Sequence, residues 1–423
     1  MASTDDRESA VGTELELEVT NVAHGGVFVA RHEGRVIFVG DTIPGERIRA
    51  RVTEDQHPSF WRAETLQVLR ASPHRTPHVW ASASIDRAPE ERAGGAEFGH
   101  IALDHQRELK RQVISGALVR MARCDYDFAV EPASGDFSVD GTGWRTRVRL
   151  QVDAEGRPGP YAARSHHVVA VGDLPLATGD VASAAPLEDV FRGAASVDVI
   201  GPSLGEIEIV VNPIKGHRPH RSRVRTIREL VGDREFELEL QGFWQVHRGA
   251  AITLTHAVQD VLDAATFDPA APNLDLYGGV GLLAAAVGDR FGETTAITSV
   301  ESSTAATGHA VRNLSDWSAA KAVTARVENY LTALVADAAA GLRSRFRRAA
   351  VILDPPRAGA GKRVVESISD LEPAQVVYVA CDPVALARDI ALFSARGYRL
   401  QELRAFDLFP ATHHVEAVAR LTR

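Results

Sequence analysis

The strictest constraint on this chain lies in its second half, where from about residue 250 short apolar runs alternate with helical stretches. The runs are Asn273–Tyr277, Ala296–Glu301, Ala349–Leu353 and Val376–Ala380, with a later pair around Leu400–Phe406 and His414–Leu421. Strands covered on both faces lose the polar alternation of a surface strand and read as continuous apolar segments. Helices between such strands are the mark of an α/β domain built on a parallel sheet. The alanine-rich stretch Leu331–Gly341 reads as one of those helices rather than as a linker.

The first 70 residues have a different rhythm. Leu15, Leu17 and Val19 alternate with Glu14, Glu16 and Glu18, the period of a half-buried strand. Turn signals at His24-Gly25-Gly26, Glu33-Gly34 and Ile43-Pro44-Gly45 separate the further runs Val27–Ala30, Arg35–Val39 and Glu46–Val52. Short strands at this spacing predict a small barrel. Residues 71 to about 235 are mixed. A helical pattern covers Asp104–Arg123, with Leu109, Val113, Leu118 and Met121 on its apolar side, and β-rich segments follow from Trp144.

At 423 residues the chain exceeds one compact core, so two or three domains are expected. No run of about 18 apolar residues occurs, which predicts no membrane-spanning helix. The opening MASTDDRESA is polar and acidic, unlike a secretory signal, and a cytoplasmic address is the expectation. Two cysteines, Cys124 and Cys381, cannot build a disulfide framework or a multi-cysteine metal site. The net charge of −9 gives no general attraction for polyanions. Phosphate contacts need only a local basic surface, and Lys215, Arg218, Arg221, Arg223, Arg225 and Arg228 form the best candidate for one.

Four segments carry chemistry. Asp275-Leu276-Tyr277-Gly278-Gly279-Val280-Gly281 follows an apolar strand and precedes a helix, where glycines let the backbone turn tightly beside a ligand. The next strand ends in Glu301, placed where a carboxylate meets ribose hydroxyls. Neither a GxGxxG nor a GxxxxGK[ST] pattern is present, which favours a nucleoside cofactor without a pyrophosphate; S-adenosylmethionine fits. Asp354-Pro355-Pro356-Arg357 forms a stiff loop after a strand, and Cys381-Asp382-Pro383 sets a thiol at the start of a helix. A helix N-terminus lowers a thiol pKa, so Cys381 is expected to be an available nucleophile, whereas Cys124 has no such context. Finally, His414-Val415-Glu416 brings a carboxylate to the same edge, completing a nucleophile and base pair.

These segments together resemble the RNA uracil-5 methyltransferase family, with its cofactor loop, its DPPRxG loop, its cysteine followed by [ND]-P and its closing FP-x-T-x-HVE, here Phe409–Glu416. Gly242-Phe243-Trp244-Gln245-Val246 is similar to the family stretch whose glutamine touches the cofactor. Gly25-Gly26, Val39-Gly40 and Pro44-Gly45-Glu46 resemble a TRAM domain, and Trp144–Arg149 with Arg164-Ser165-His166 resembles the family's central domain. The resemblance implies a multidomain chain. An OB-like RNA-binding β-barrel occupies 11–70, an α+β domain 71–235, and an α/β Rossmann-like class I methyltransferase domain 236–423. It also implies an RNA substrate, rRNA or tRNA; a monomer is the default expectation.

In role, the resemblance makes Cys381 the nucleophile and Glu416 the base, with Gln245, Tyr277, Gly279, Gly281, Glu301 and Asp354 around the cofactor. Many members bind an iron–sulfur cluster through four cysteines; Gly94–His100, ahead of His105-Gln106, has none, so no cluster is expected. Further departures are His247 where asparagine is usual, Leu282 where a small polar residue is frequent and Asp382 after the nucleophile. Arg326 stands where an acidic or amide side chain usually meets adenine. Two rival readings are an exocyclic-amine methyltransferase, which needs no thiol, and a non-catalytic RNA-binding protein, against which the retention of both Cys381 and Glu416 speaks.

Overall fold

A computed structural model describes residues 9–136, 138–214, 225–337 and 340–423. Strands β1 (Glu14–Ala23), β2 (Val27–His32), β3 (Arg35–Val39), β4 (Arg47–Glu54) and β5 (Phe60–Arg70) form a closed barrel in the order β1-β2-β3-β5-β4. The alternation works as expected: Leu17 and Val19 are buried while Glu14, Glu16 and Glu18 are exposed. The barrel core does not stop at residue 70. Phe98, Ile101 and Leu109 pack into the same cluster as Phe28, Ile37 and Ile48.

A buried carboxylate fastens the barrel to the segment beyond β5. Glu46 accepts from the Ile43 amide at 2.9 Å and the Ser72 amide at 3.1 Å, and takes a two-pronged grip from Arg75 at 2.6 and 2.8 Å. Burial alone would raise its pKa, but Arg75 and these donors outweigh it and hold the carboxyl below its usual 4.5. A lowered folded pKa stabilises the fold above the unfolded value and loses that contribution as pH falls. Glu46→Gln is therefore expected to cost about 3 kcal/mol at pH 7. Urea unfolding should show the difference from wild type shrinking below about pH 4.5.

Helix α1 (Leu103–Ala117) continues into a wider turn, Leu118–Ala122, closed by Arg123 in the left-handed region (φ 51°). Leu109 and Leu118 are buried as expected, whereas Met121 is 39% exposed because the helical register has been lost by that point. Two polar residues, Gln106 and Lys110, take buried places on α1. Beyond β6 (Val130–Pro132), an antiparallel sheet β10-β9-β7-β8 is made by β7 (Arg147–Val152), β8 (Pro158–Gly159), β9 (Ala194–Ile200) and β10 (Glu208–Pro213), with α2 (Gly179–Ala184) between β8 and β9. Strands β11 (Thr226–Val231) and β12 (Arg234–Glu239) form a separate hairpin. Of the basic run, Lys215, Arg218, Arg221 and Arg223 lie outside the described residues; Arg225 and Arg228 pair with Glu208 and Glu235.

The C-terminal half holds α3 (Ala250–Val261), β13 (Asn273–Leu276), α4 (Leu282–Phe291), β14 (Ile297–Glu301), α5 (Thr304–Asn313), β15 (Lys321–Thr324), α6 (Val327–Asp337) and α7 (Ala340–Phe346). It continues with β16 (Ala350–Leu353), α8 (Gly361–Leu371), β17 (Gln375–Ala380), α9 (Pro383–Ser394), β18 (Arg399–Asp407) and β19 (Glu416–Thr422). Their sheet runs β15-β14-β13-β16-β17-β19-β18-β6, parallel except that β19 opposes both neighbours. Each of the six apolar runs became a strand. Polar-flanked β15 and distant β6 were not foreseen, since both are short and sit at the two sheet edges. The order reverses between β13 and β16, which opens a crevice at their carboxyl ends. Among the described residues no helix is long and apolar enough to cross a membrane.

The loop from β18 to β19 is clamped from outside the sheet. The Lys110 ammonium donates to Asp407 at 2.5 Å and to the Phe409 carbonyl at 3.0 Å, and the Ala411 amide donates to Gln106 at 2.7 Å. Lys110 and Asp407 are fully buried, so α1 fixes the segment leading into Glu416.

Candidate active site

The crevice is a cleft of about 860 Å³ into which the strand ends deliver their side chains. At the end of β13, Tyr277 adopts a left-handed backbone (φ 62°), a strained choice for a bulky residue, and its side chain lines the cleft. Gly278 is required by space: a Cβ there would lie 2.0 Å from Ser299 Oγ and 2.4 Å from Asp275 Oδ2. Gly278→Ala must displace the loop, and a loss of about 1–3 kcal/mol is expected in thermal or urea unfolding. Gly279 (φ 55°) lies on the wall with open space above it. Gly281 (φ 93°) does not line the cleft; it precedes α4 and faces Leu314, so its part is to shape the turn.

Glu301, leaving β14, accepts from the Gly279 amide at 3.3 Å, the Ser303 amide at 2.7 Å and the Ser302 hydroxyl at 2.9 Å. It thus bridges the glycine turn and the start of α5. Gln245 comes from the segment after β12, beside Phe243, an aromatic left 76% exposed on the cleft. Arg326 lies on the wall as expected, and Glu328 lies there with it, so an acidic side chain is present two residues away. The Asp354-Pro355-Pro356-Arg357 loop is held by Asp389, which accepts from the Ala360 amide and the Tyr378 hydroxyl, each at 2.7 Å. Cys381 directly follows β17, and Glu416, only 4% exposed, begins the adjoining β19. Seven of the eight expected site residues therefore share one cavity, Gly281 being the exception.

The electrostatics correct one expectation. The helix start after Cys381 does not prevail: burial, then Glu416, then Asp354 push its thiol up to about 12, with Arg357 acting in the opposite sense. The helix N-terminus is already satisfied by Asp382, whose Oδ1 accepts from the Val384 and Ala385 amides at 3.0 and 2.8 Å. A capped end carrying its own anion offers the thiol little positive charge. Burial and Asp275 raise Asp354 to about 7, and burial with Asp354 holds Glu416 well above the usual carboxylate range. Asp275, behind the glycine turn, is raised to about 7 by burial although Ser299 donates to it at 2.9 Å, and its Oδ1 has no partner. Two of the cleft's acids, Asp354 and Glu416, are thus shifted toward their protonated forms.

Arg357, His414, Phe243 and Glu328 also line the cleft and were not assigned roles from the sequence. Arg357 was legible in principle, since it follows Asp354 on a stiff loop at the ligand edge. His414 was legible as a histidine at the sheet edge beside Glu416, though without a role. Within Gly94–His100, Ala96 and Phe98 are buried in the core while Gly95 is exposed. Among the described residues no cluster of His, Cys, Asp or Glu is arranged to hold a metal.

The family description "tRNA (Uracil-5-)-methyltransferase" matches residues 231–423, and that of the TRAM domain matches residues 8–64. A relative in Streptomyces coelicolor described as an uncharacterized RNA methyltransferase is 37% identical, across 98% of this chain and 93% of its own length. The 23S rRNA (uracil(1939)-C(5))-methyltransferase of Halomonas elongata is 28% identical across 98% of this chain and 91% of its own. In three dimensions the chain is similar to the tRNA (uracil-54, C5)-methyltransferase of Pyrococcus abyssi, solved with S-adenosyl-L-homocysteine. The TM-score is 0.69 at 21% identity, covering 96% of this chain and 100% of that one. With a barrel, a central α+β part and a class I methyltransferase sheet carrying thiol and carboxyl on neighbouring strands, the chain belongs to the RNA uracil-5 methyltransferase family and is an RNA methyltransferase with an N-terminal TRAM domain.

Proposed function

We propose that the protein methylates carbon 5 of a uridine in rRNA or tRNA, using S-adenosylmethionine, with Cys381 as nucleophile and Glu416 as base. The observation that carries this reading is the meeting of one thiol and one buried carboxyl, from β17 and β19, on the wall of a single cleft. S-adenosylmethionine supplies an electrophilic methyl group on a sulfonium cation. The residues present suit such a group. The cleft is large, its glycine wall leaves room at Gly279, and its acids Asp354 and Glu416 favour a cation over another anion. Gln245, Tyr277, Gly279, Glu301 and Asp354 hold the cofactor in this reading, and Gly281 shapes the turn that carries them.

Carbon 5 of uracil is too electron-poor to take a methyl group unaided. Addition of the Cys381 sulfur to carbon 6 turns the ring into an enolate, whose carbon 5 is nucleophilic. The thiol is protonated at rest, so addition requires its proton to leave. A neighbouring carboxylate that accepts it exchanges one buried anion for another, with no net charge created in the cleft. After methyl transfer, Glu416 in its carboxylate form removes the carbon 5 proton, the ring double bond re-forms and the carbon–sulfur bond breaks. Thiolate is returned and takes back a proton. The target base must leave its stack to reach Cys381, which a loop or distorted stem permits at least cost.

We place the activity in the cytoplasm, in a monomer whose three parts run over 11–70, 71–235 and 236–423. RNA carrying tritium at carbon 5 of uridine tests the reaction. One tritium released to water per methyl group transferred is expected; methyl transfer with tritium retained would contradict it.

A further inference from the structure

Cys381 opens onto a second space besides the large cleft. A chamber of about 120 Å³ on the barrel side is lined by His24 and Gly25 of the β1–β2 turn together with Lys110, Arg357, His413 and His414. Three residues, Arg357, Cys381 and His414, belong to both spaces, so the thiol sits where the two meet. The barrel turn is fastened there. His24 Nε2 bonds Asp382 Oδ2 at 2.9 Å, across 358 residues of sequence. The other oxygen of the same carboxylate caps α9, so Asp382 ties the helix that follows the nucleophile to the barrel. Gly26 closes the seat: a Cβ on it would lie 2.8 Å from Nδ1 of His413, and its φ of 73° also favours glycine.

We infer that the β1–β2 turn of the barrel is the outer wall of the chamber in which the target nucleotide meets Cys381, and that His24 is a positioning residue holding that wall through Asp382. The identity of the guest as a nucleotide rests on the function proposed above; the wall and its fastening rest on the contacts alone. The chamber chemistry suits such a guest. Arg357 brings positive charge, and the rings of His413 and His414, 4.0 Å apart and tilted by 37°, add aromatic surface. His414 stays neutral near physiological pH, since burial, His413 and Arg357 lower it to about 3, so it serves as a ring rather than as an ion. The chamber has room for a few waters' worth of volume, the scale of a single small ring.

The test measures access to the thiol without methyl transfer. The full chain is labelled with iodoacetamide in the absence of RNA and cofactor, and peptide mass spectrometry compares Cys381 with Cys124 as internal reference. His24→Ala frees the turn and is expected to raise Cys381 labelling about two- to fivefold, the range for a partly exposed ion pair. Asp382→Asn keeps the helix cap, because asparagine caps as well as aspartate, but gives up the ion pair, and labelling is expected to rise likewise. The double variant should exceed Asp382→Asn alone by nothing, as for two residues acting as one unit. His24→Gln, which still donates a hydrogen bond, should return labelling toward the wild-type level. On RNA, His24→Ala should lower kcat while cofactor affinity stays unchanged. Unchanged labelling in both single variants, or additive effects in the double, overturns the inference. A labelling shift in a protein that forms no 5-methyluridine overturns the proposed function and leaves the wall standing.

Discussion

Replacing Cys381 with alanine is expected to lower 5-methyluridine formation by on the order of 10⁴-fold or more, the scale seen when a covalent nucleophile is removed. The size follows from the chemistry. Without sulfur at carbon 6 the ring has no route to an enolate, and among the described residues no other thiol lines the cleft. The loss should fall on the chemical step. Affinity for S-adenosylmethionine, measured by calorimetry, should be unchanged, because the groups read as holding it stand on other strand ends. Cys124→Ala is the control and should keep full activity, since Cys124 lies beyond α1 and does not line the cleft.

Glu416→Gln should act later and leave a trace. Glutamine nearly matches the shape of the protonated carboxyl that burial favours at this position, so the fold should tolerate it. Addition and methyl transfer can proceed, but no base takes the carbon 5 proton, and the sulfur cannot leave. Turnover should fall by about 10²- to 10⁴-fold, the usual range for a lost general base. A denaturant-resistant complex of protein and methylated RNA should accumulate. Peptide mass spectrometry should find the nucleotide on the fragment containing Cys381. Lost turnover with no adduct would move Glu416 to an earlier role.

Much of the site was legible because it is local. The turn after Asp275, the prolines after Asp354 and the Cys381-Asp382-Pro383 corner each hold within a few residues the reason for their shape, and each lies at a strand end. The barrel was legible for the same reason, through Leu17 and Val19 alternating with glutamates. What escaped depends on partners far away in sequence. Lys110, a charged residue on a helix that reads as amphipathic, is buried because Asp407 waits 297 residues later. Edge strand β6 has too few residues to announce itself and exists because β18 offers it a ladder. The raised thiol of Cys381 was misjudged because the local signal, a helix start, is spent on Asp382, while Glu416 and Asp354 arrive from other strands. Local sequence thus places the groups, and the long-range packing sets their protons.

The most direct measurement is mass spectrometry of nucleosides from unmodified rRNA and tRNA incubated with the wild-type protein and methyl-labelled S-adenosylmethionine. Label recovered as 5-methyluridine, at one or a few defined positions, is the predicted result. Label on an exocyclic amine would contradict the account, because that chemistry has no use for the thiol and carboxyl that β17 and β19 bring to one cleft.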